Sequence, residues 1–328
     1  MHLTMTRVIA TSLLSAAAAL PLASTAHAET WPSRAITYVL PSAAGGSPDV
    51  LSRIVTAQLS EQLGVSVVVE NKPGAAGSIG MSQLKRSAAD GYTIGYGNIN
   101  TLAVNQSLFK ELSYDVDADF VPVAHLFNLY NVLIVPAGSE LKSMDDLIKK
   151  AEANPGSMSY GASGVGTTGH MGGELFKSLA KIDVEFIPYT GGPGALQDQL
   201  GERLDYMFIN SSEAAPLIES GKVRALGVSS LKRIALLPDV PTIDELGVKG
   251  YETVAWGGIV APKGTPEPVI SKLNAELLKT LEEPAVQERL AGLGAEPAGG
   301  SPADFQKLID AETAKWRDII ATAGIPQL

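Results

Sequence analysis

The sequence predicts an α/β protein built as two doubly wound domains joined by strand crossovers. Three observations carry this. The chain has 328 residues, enough for about two domains. Short β-rich apolar runs alternate with helical periodicities, the pattern of parallel sheets covered by helices on both faces. No internal repeat, low-complexity stretch or flexible tether separates the halves.

Residues 1–28 read as a cleavable export leader. Met1 to Arg7 is basic and free of acid, Val8 to Leu20 is apolar but too short for an ordinary membrane span, and Ala26-His27-Ala28 supplies a small-x-small cleavage pattern before Glu29. The mature product is expected to be soluble and exported.

Ala35–Leu40 is then the first strand. Ser47-Pro48-Asp49 reads as an N-cap, a proline in the first turn and an acid at the helix start. Leu51, Val55, Leu59 and Leu63 follow in steps of four and give that helix one buried stripe. Ser66–Glu70 is the next strand, Asn71–Gly77 a loop and Ile79–Ala89 a helix. Asp90-Gly91 turns into strand Thr93–Gly97. Further strands are expected near Asn131–Val135, Met158–Tyr160, Val184–Ile187, Tyr206–Ile209 and Arg224–Val228. From Thr265 the chain turns helical, with starts at Thr265-Pro266 and Ser301-Pro302 and a stop at Gly324. The runs near Asn131 and Thr253 look like crossovers. They divide the mature chain into a discontinuous first domain, 29–128 plus 255–328, and a second domain, 129–254.

Composition narrows the function. The formal charge of −10 argues against nucleic acid, which needs a basic face. The absence of cysteine excludes disulfides, thiolate nucleophiles and cysteine-ligated metals. The mature histidines, His125 and His170, lie in no metal-binding spacing, so neither metal nor cofactor is expected.

In open α/β sheets, ligands bind where strands run out into helices. Three such connections are rich in glycine and hydroxyls: Pro41–Asp49, Gly161–His170 and Tyr189–Gly194. Glycine lets backbone approach a ligand, and each following helix offers unpaired N–H groups, so an anion can be held without a cation. Gly164-Val165-Gly166-Thr167-Thr168-Gly169 matches a dinucleotide fingerprint with Glu185 at about the right distance, but an exported protein and a mid-chain position speak against that reading. Ser163 misses the nucleophile elbow, and the two S-x-x-K matches, at Ser82 and Ser229, lack companion motifs. Asp145 and Asp146 read as a helix start. His170 either donates to a ligand or caps its loop, and Asp49 either lines the cleft or complements the helix dipole. An exported hydrolase acting on a small carboxylate ester or amide is the alternative class, but no nucleophile–base pair supports it.

The mature chain also resembles a known family from Trp31 to its C-terminus. The markers run in order: Trp31-Pro32-Ser33-Arg34, Gly45-Gly46-x-x-Asp49, Val69-Glu70-Asn71-Lys72-Pro73-Gly74-Ala75-x-Gly77, Asp90-Gly91-Tyr92-Thr93, and Ser163-Gly164-x-Gly166 with His170. Pro188-Tyr189-x-Gly191-Gly192, Arg224-Ala225-Leu226-Gly227-Val228, Leu237-Pro238-Asp239-Val240-Pro241-Thr242 and Ala261-Pro262-x-Gly264-Thr265-Pro266 complete them. Together they resemble the Bug-type solute receptors of tripartite tricarboxylate transporters. The resemblance implies a two-lobed periplasmic binding protein of type II-like architecture, a non-enzyme. It would act as a monomer, close on a small carboxylate and deliver it to a cognate membrane permease. It further implies that Ser42, Ala43, Ala44, Gly45 and Asp49 line one side of the site. Ser163, Gly164, Gly166, Thr167, Thr168 and His170 would line the other, with Tyr189 nearby. Family members often carry a bulky residue where this chain has Ser42. That extra room, with Tyr96, Tyr130, Tyr189 and Trp256 near strand ends or crossovers, suggests a preference for an aromatic mono- or dicarboxylate over di- and tricarboxylates of the citrate kind.

Overall fold

The computed structural model describes residues 31–328. The leader, with its cleavage pattern and Glu29, lies outside them. In chain order, β1 (Ile36–Leu40) leads into α1 (Ser47–Leu63), then β2 (Val67–Asn71), α2 (Ser78–Lys85) and β3 (Thr93–Asn98). A π-helical turn at Asn100–Val104 continues into α3 (Asn105–Leu108) and α4 (Val116–Asp119). The long strand β4 (Phe120–Pro136) precedes α5 (Met144–Ala153), β5 (Ser159–Gly161), α6 (Thr168–Ala180) and β6 (Glu185–Ile187). Next come α7 (Gly192–Leu200), β7 (Tyr206–Asn210), α8 (Ser211–Glu219) and β8 (Val223–Val228). The chain returns through β9 (Val254–Pro262) and ends with α9 (Glu267–Glu282), α10 (Pro284–Gly292), β10 (Glu296–Pro297) and α11 (Pro302–Thr322).

The strands hydrogen-bond in the order β2-β1-β3-β9-β4-β7-β5-β6, with β8 and β10 also on β4. Within this order β4 changes partners. Its Phe120–Tyr130 stretch pairs with β9, while Asn131–Ile134 pairs with β7 and Val132–Pro136 with β8. The two-lobed α/β architecture follows from this shared strand.

The expectation of purely parallel sheets needs correction. β1 is parallel to β2 and β3, and β5 to β6 and β7, but β3–β9, β4–β9, β4–β7 and β4–β8 are antiparallel. The reason is topological. β4 carries the chain out of the first sheet and β9 brings it back beside β4, so the two must run in opposite directions.

Helices cover both faces, and the period-2 pattern of the strands shows it. Leu133 and Val135 of β4 face one core with α5 and α6, whereas Val132 and Ile134 face the opposite one with residues of α7 and α8. Likewise Ile259 and Ala261 of β9 join the core with α1, α9 and α10, while Trp256 and Val260 join that of α2 and α11. Sheets buried on both sides favour such unbroken apolar runs. The expected stripe of α1 is buried at Leu51, Val55 and Leu59, each side chain adding about 1.5–3 kcal/mol, and Leu63 packs at its edge. Gly64 in the left-handed region ends that helix. Ser301 opens α11 through a capping box with Asp304.

Candidate functional site

The first connection leaves β1 at Leu40, whose carbonyl accepts from Ser42 N–H (2.8 Å) and Lys72 N–H (2.7 Å). Ala43, Ala44 and Gly45 are exposed, and Ser42 is half-buried. Gly45 has φ +82°, open to glycine without strain. Asp49, 4% exposed, ties the loop down. Its Oδ2 accepts from Gly45 N–H (2.9 Å), and its Oδ1 accepts from Arg53 Nε (3.0 Å) and Asn71 Nδ2 (2.9 Å). Burial alone would raise the Asp49 carboxyl, but these three donors and the Arg53 charge hold it below its usual range. Asp49 therefore spends its carboxylate on loop geometry.

The expected N-cap at Ser47 is displaced by one residue. Gly46 is the N-cap of α1 and Ser47 is its first helical residue. The Ser47 hydroxyl is thereby free to reach another element. It sits 2.8 Å from Ser212 Oγ and donates to Glu213 Oε1 (2.9 Å), and Ser47 N–H also donates to Glu213 Oε1 (3.3 Å).

The second connection, from β5 into α6, is folded by its own side chains. Thr167 is the N-cap, donating through Oγ1 to Gly164 O (2.6 Å) and accepting from His170 N–H (3.4 Å). His170 Nδ1 accepts from Gly166 N–H (3.1 Å), and its ring lies 4.0 Å from that of Phe186. His170 thus holds its own loop through Nδ1. Burial pushes its imidazole down to about 4, with Glu174 opposing and Lys177 assisting, so it is neutral at pH 7. Thr168 begins α6 and is buried beside it.

The third connection runs from β6 into α7. The Tyr189 hydroxyl donates to Asp198 Oδ2 (2.8 Å), which turns the ring back onto α7. Partial burial and then the Asp198 carboxylate push that phenol up to about 12. The Tyr189 carbonyl faces Gly164 instead, since a Cβ there would stand 3.3 Å from it. A Cβ on Gly192 would stand 3.2 Å from Ser163 Oγ and 3.6 Å from Glu213 Oε2.

The structure thus brings Ser163, Gly164 and Tyr189 together, and sets the Ser47 end of the first connection against the start of α8. At its other end the second connection meets Ala76, Asn105 and Leu108, which lie 3.9, 3.4 and 3.1 Å from the place a Gly166 Cβ would take. Among the described residues, Ser42 and Gly45 hydrogen-bond to Asn71 and Asp49 rather than to the second connection. Sequence reasoning missed Ser47 as a bridging residue, and missed Ala76, Asn105, Ser212 and Glu213. The signal for the last two was present: Asn210–Glu213 is also a strand-to-helix connection, but without glycine it drew no notice. Ala75 and Ala76 hold φ +46° and +51°, unusual for alanine, where Asn105 Nδ2 donates to Ala76 O (3.0 Å).

Two of the four aromatic residues taken as candidate ligand neighbours are core instead. Tyr96, 3% exposed, stacks on Phe127, and Trp256, 2% exposed, donates to Glu312 Oε2 (3.3 Å). Tyr130 donates to Glu296 (2.9 Å), on the side of β10. Two surface grooves, of about 430 and 140 Å³, lie away from these connections, around Leu236.

Sheets that share crossover strands, with helix starts that meet at Ser47 and Glu213 and at Gly166 and Asn105, define a two-lobed solute-binding protein. Residues 51–325 match the family described as Tripartite tricarboxylate transporter family receptor. The chain belongs to that family and is a receptor of its Bug type. Protein BugT of Bordetella pertussis is 34% identical over 304 residues, covering 92% of this chain and 93% of that one. A structure of an R. palustris protein with adipate has a TM-score of 0.87 at 38% identity, covering 91% of this chain and all of its own. MatC from Rhodopseudomonas palustris with bound malate has a TM-score of 0.82 at 32% identity, covering 88% of this chain and 99% of its own.

Proposed function

We propose that this chain is a periplasmic receptor that binds a small carboxylate between its glycine-rich connections and delivers it to a membrane permease. The observation that carries this is the meeting of helix starts from both sheets: Ser47 of α1 against Ser212 and Glu213 of α8, and Gly166 before α6 against Asn105 of α3. In this reading Ser42, Ala43, Ala44 and Gly45 contribute from one lobe. Ser163, Gly164, Gly166, Thr167 and Thr168 contribute from the other, beside Tyr189. Asp49 and His170 hold the loops in shape. The lobes divide as 29–128 with 255–328 against 129–254, which accords with the change of partners after Tyr130 of β4. Adipate and malate in the structural relatives favour the carboxylate class. With Tyr96 and Trp256 in the core, an aromatic ring is no requirement.

The energetics permit it. Micromolar binding needs about −8 kcal/mol. Four or five charge-assisted hydrogen bonds at roughly 1.5–3 kcal/mol each supply that before the costs of closure and desolvation are counted. A thermal-shift screen over aliphatic and aromatic carboxylates, followed by calorimetry, tests the reading. Saturable, stoichiometric stabilisation is expected. Turnover of carboxylate esters or amides, or no stabilisation by any carboxylate, would overturn it.

A further inference from the structure

We infer that Glu213 sets the charge of the accepted ligand, selecting a carboxylate whose far end is a neutral or cationic hydrogen-bond donor over a dicarboxylate dianion. This rests on the receptor reading above and specifies its ligand. The connections 41–49, 161–170 and 189–194 contain no lysine or arginine. Asp49 is matched by Arg53 at 3.0 Å, and His170 is neutral, so neither leaves a net charge toward the ligand. Glu213 is different. It is half-buried, among the described residues it forms no ion pair, and its Oε1 accepts from the amide and hydroxyl of Ser47. Its carboxylate therefore already fills the anion position at the start of α1. Its second oxygen is turned toward the start of α7, where Ser163 also points. A ligand lying along these connections meets donors from the backbone and, at Glu213, a carboxylate that helix starts and Ser47 hold but that no cation pairs among the described residues.

Like charges a few ångströms apart repel strongly at the low effective dielectric of a closed cleft. The ligand carboxylate is then steered to the other helix starts, and the ligand atom nearest Glu213 must give a hydrogen bond. An amide, a hydroxyl or an ammonium group does so, and an ionised second carboxylate does not. Asn105 extends the pattern at the Gly166 end. Its Nδ2 is committed to Ala76 O and Tyr114 Oη, and its buried Oδ1 accepts nothing. Both ends of the second connection thus present acceptors.

The experiment is a set of calorimetric titrations of the purified protein with ligands matched for length: succinate, succinamate and 4-aminobutanoate, then the glutarate and adipate series in the same three forms. At the length that fits, the monoamide or amino acid is expected to bind at least 10-fold tighter than the diacid. Glu213→Gln and Glu213→Ala, each checked for an unchanged melting profile, should shift the diacid-to-monoamide ratio toward the diacid by threefold or more. Two results overturn the inference while leaving the receptor reading intact: the diacid binds tightest to the unmodified protein, or both variants bind with the ratio moved less than threefold. If no carboxylate binds any form, the receptor reading falls and this inference with it.

Discussion

At the residue scale, His170 should make the protein's stability sensitive to mild acid. Burial pushes its imidazole down from the ordinary 6.5 to about 4 in the folded protein, with Glu174 opposing and Lys177 assisting. The sign follows directly. Above pH 6.5 both states are neutral and nothing is lost, whereas below it the unfolded chain takes up a proton that the folded one refuses. Stability contributed by the neutral ring falls between pH 6.5 and 4, by about 3 kcal/mol in all. His170→Asn keeps an acceptor at a similar place but does not titrate. Denaturant unfolding at pH 7, 6 and 5 should show the variant losing less stability than the parent across that range. His125, also lowered by burial, contributes equally to both proteins. Parallel profiles for the two would show that the ring carries no such penalty.

At the scale of elements, the glycine-rich connections should be sensitive to backbone shape, and affinity should change little when any single lysine or arginine is replaced. Gly164 has φ +151° with the Tyr189 carbonyl close by, and Gly45 has φ +82° in open space. Valine at either place forces the loop to move. Losing two charge-assisted hydrogen bonds would cost about 3–6 kcal/mol, a loss of ~100-fold or more in affinity by calorimetry, with the fold retained. A Lys or Arg substitution that abolished binding while both valine variants bound normally would defeat the expectation. Helix α6 shows the opposite behaviour. A Cβ on Gly173 would collide with the Tyr160 ring, so Gly173→Ala should destabilise the protein by about 1–3 kcal/mol, seen as a lower denaturation midpoint without change in ligand preference.

These elements also show what could be read from sequence. β1, β3, β7 and β8 were legible because short apolar runs sit between turn residues, and α1 because its leucines and valines recur every four residues. The length of β4 was not. Its Phe120–Tyr130 part contains Pro122 and His125 and is interrupted by register shifts, which hide the alternation. The glycine-rich connections announced themselves. Glu213 did not, because what distinguishes it is a contact with Ser47, 166 residues away, and no local pattern encodes that distance.

At the scale of the whole molecule, a ligand held from two lobes should draw them together. Small-angle scattering at saturating ligand should give a smaller radius of gyration than the free protein, and an unchanged radius would count against closure. Export makes a separate expectation. Mass spectrometry of protein recovered from the periplasm should find Glu29 at its amino terminus, as cleavage after Ala28 requires, and an intact Met1 would contradict it.

The pairing of β9 with both β3 and β4 has a consequence in time. Gly95 lies beside Val260, and Phe120 beside Pro262, so the first sheet stays open at β3 until some 160 further residues have been made. A ribosome that has released residues 1–250 has released strands β1, β2 and β3 with nothing to close them, and Trp316 and Ile320, which belong to one of their covering cores, are still unmade. The order of synthesis thus keeps the sheet of β1, β2 and β3 without its last strand and part of its covering core until late in the chain. On the leader reading of residues 1–28, by which the chain would cross a membrane as an extended thread, lateness of this kind would be an advantage, because a first sheet that cannot yet close leaves the chain threadable for longer.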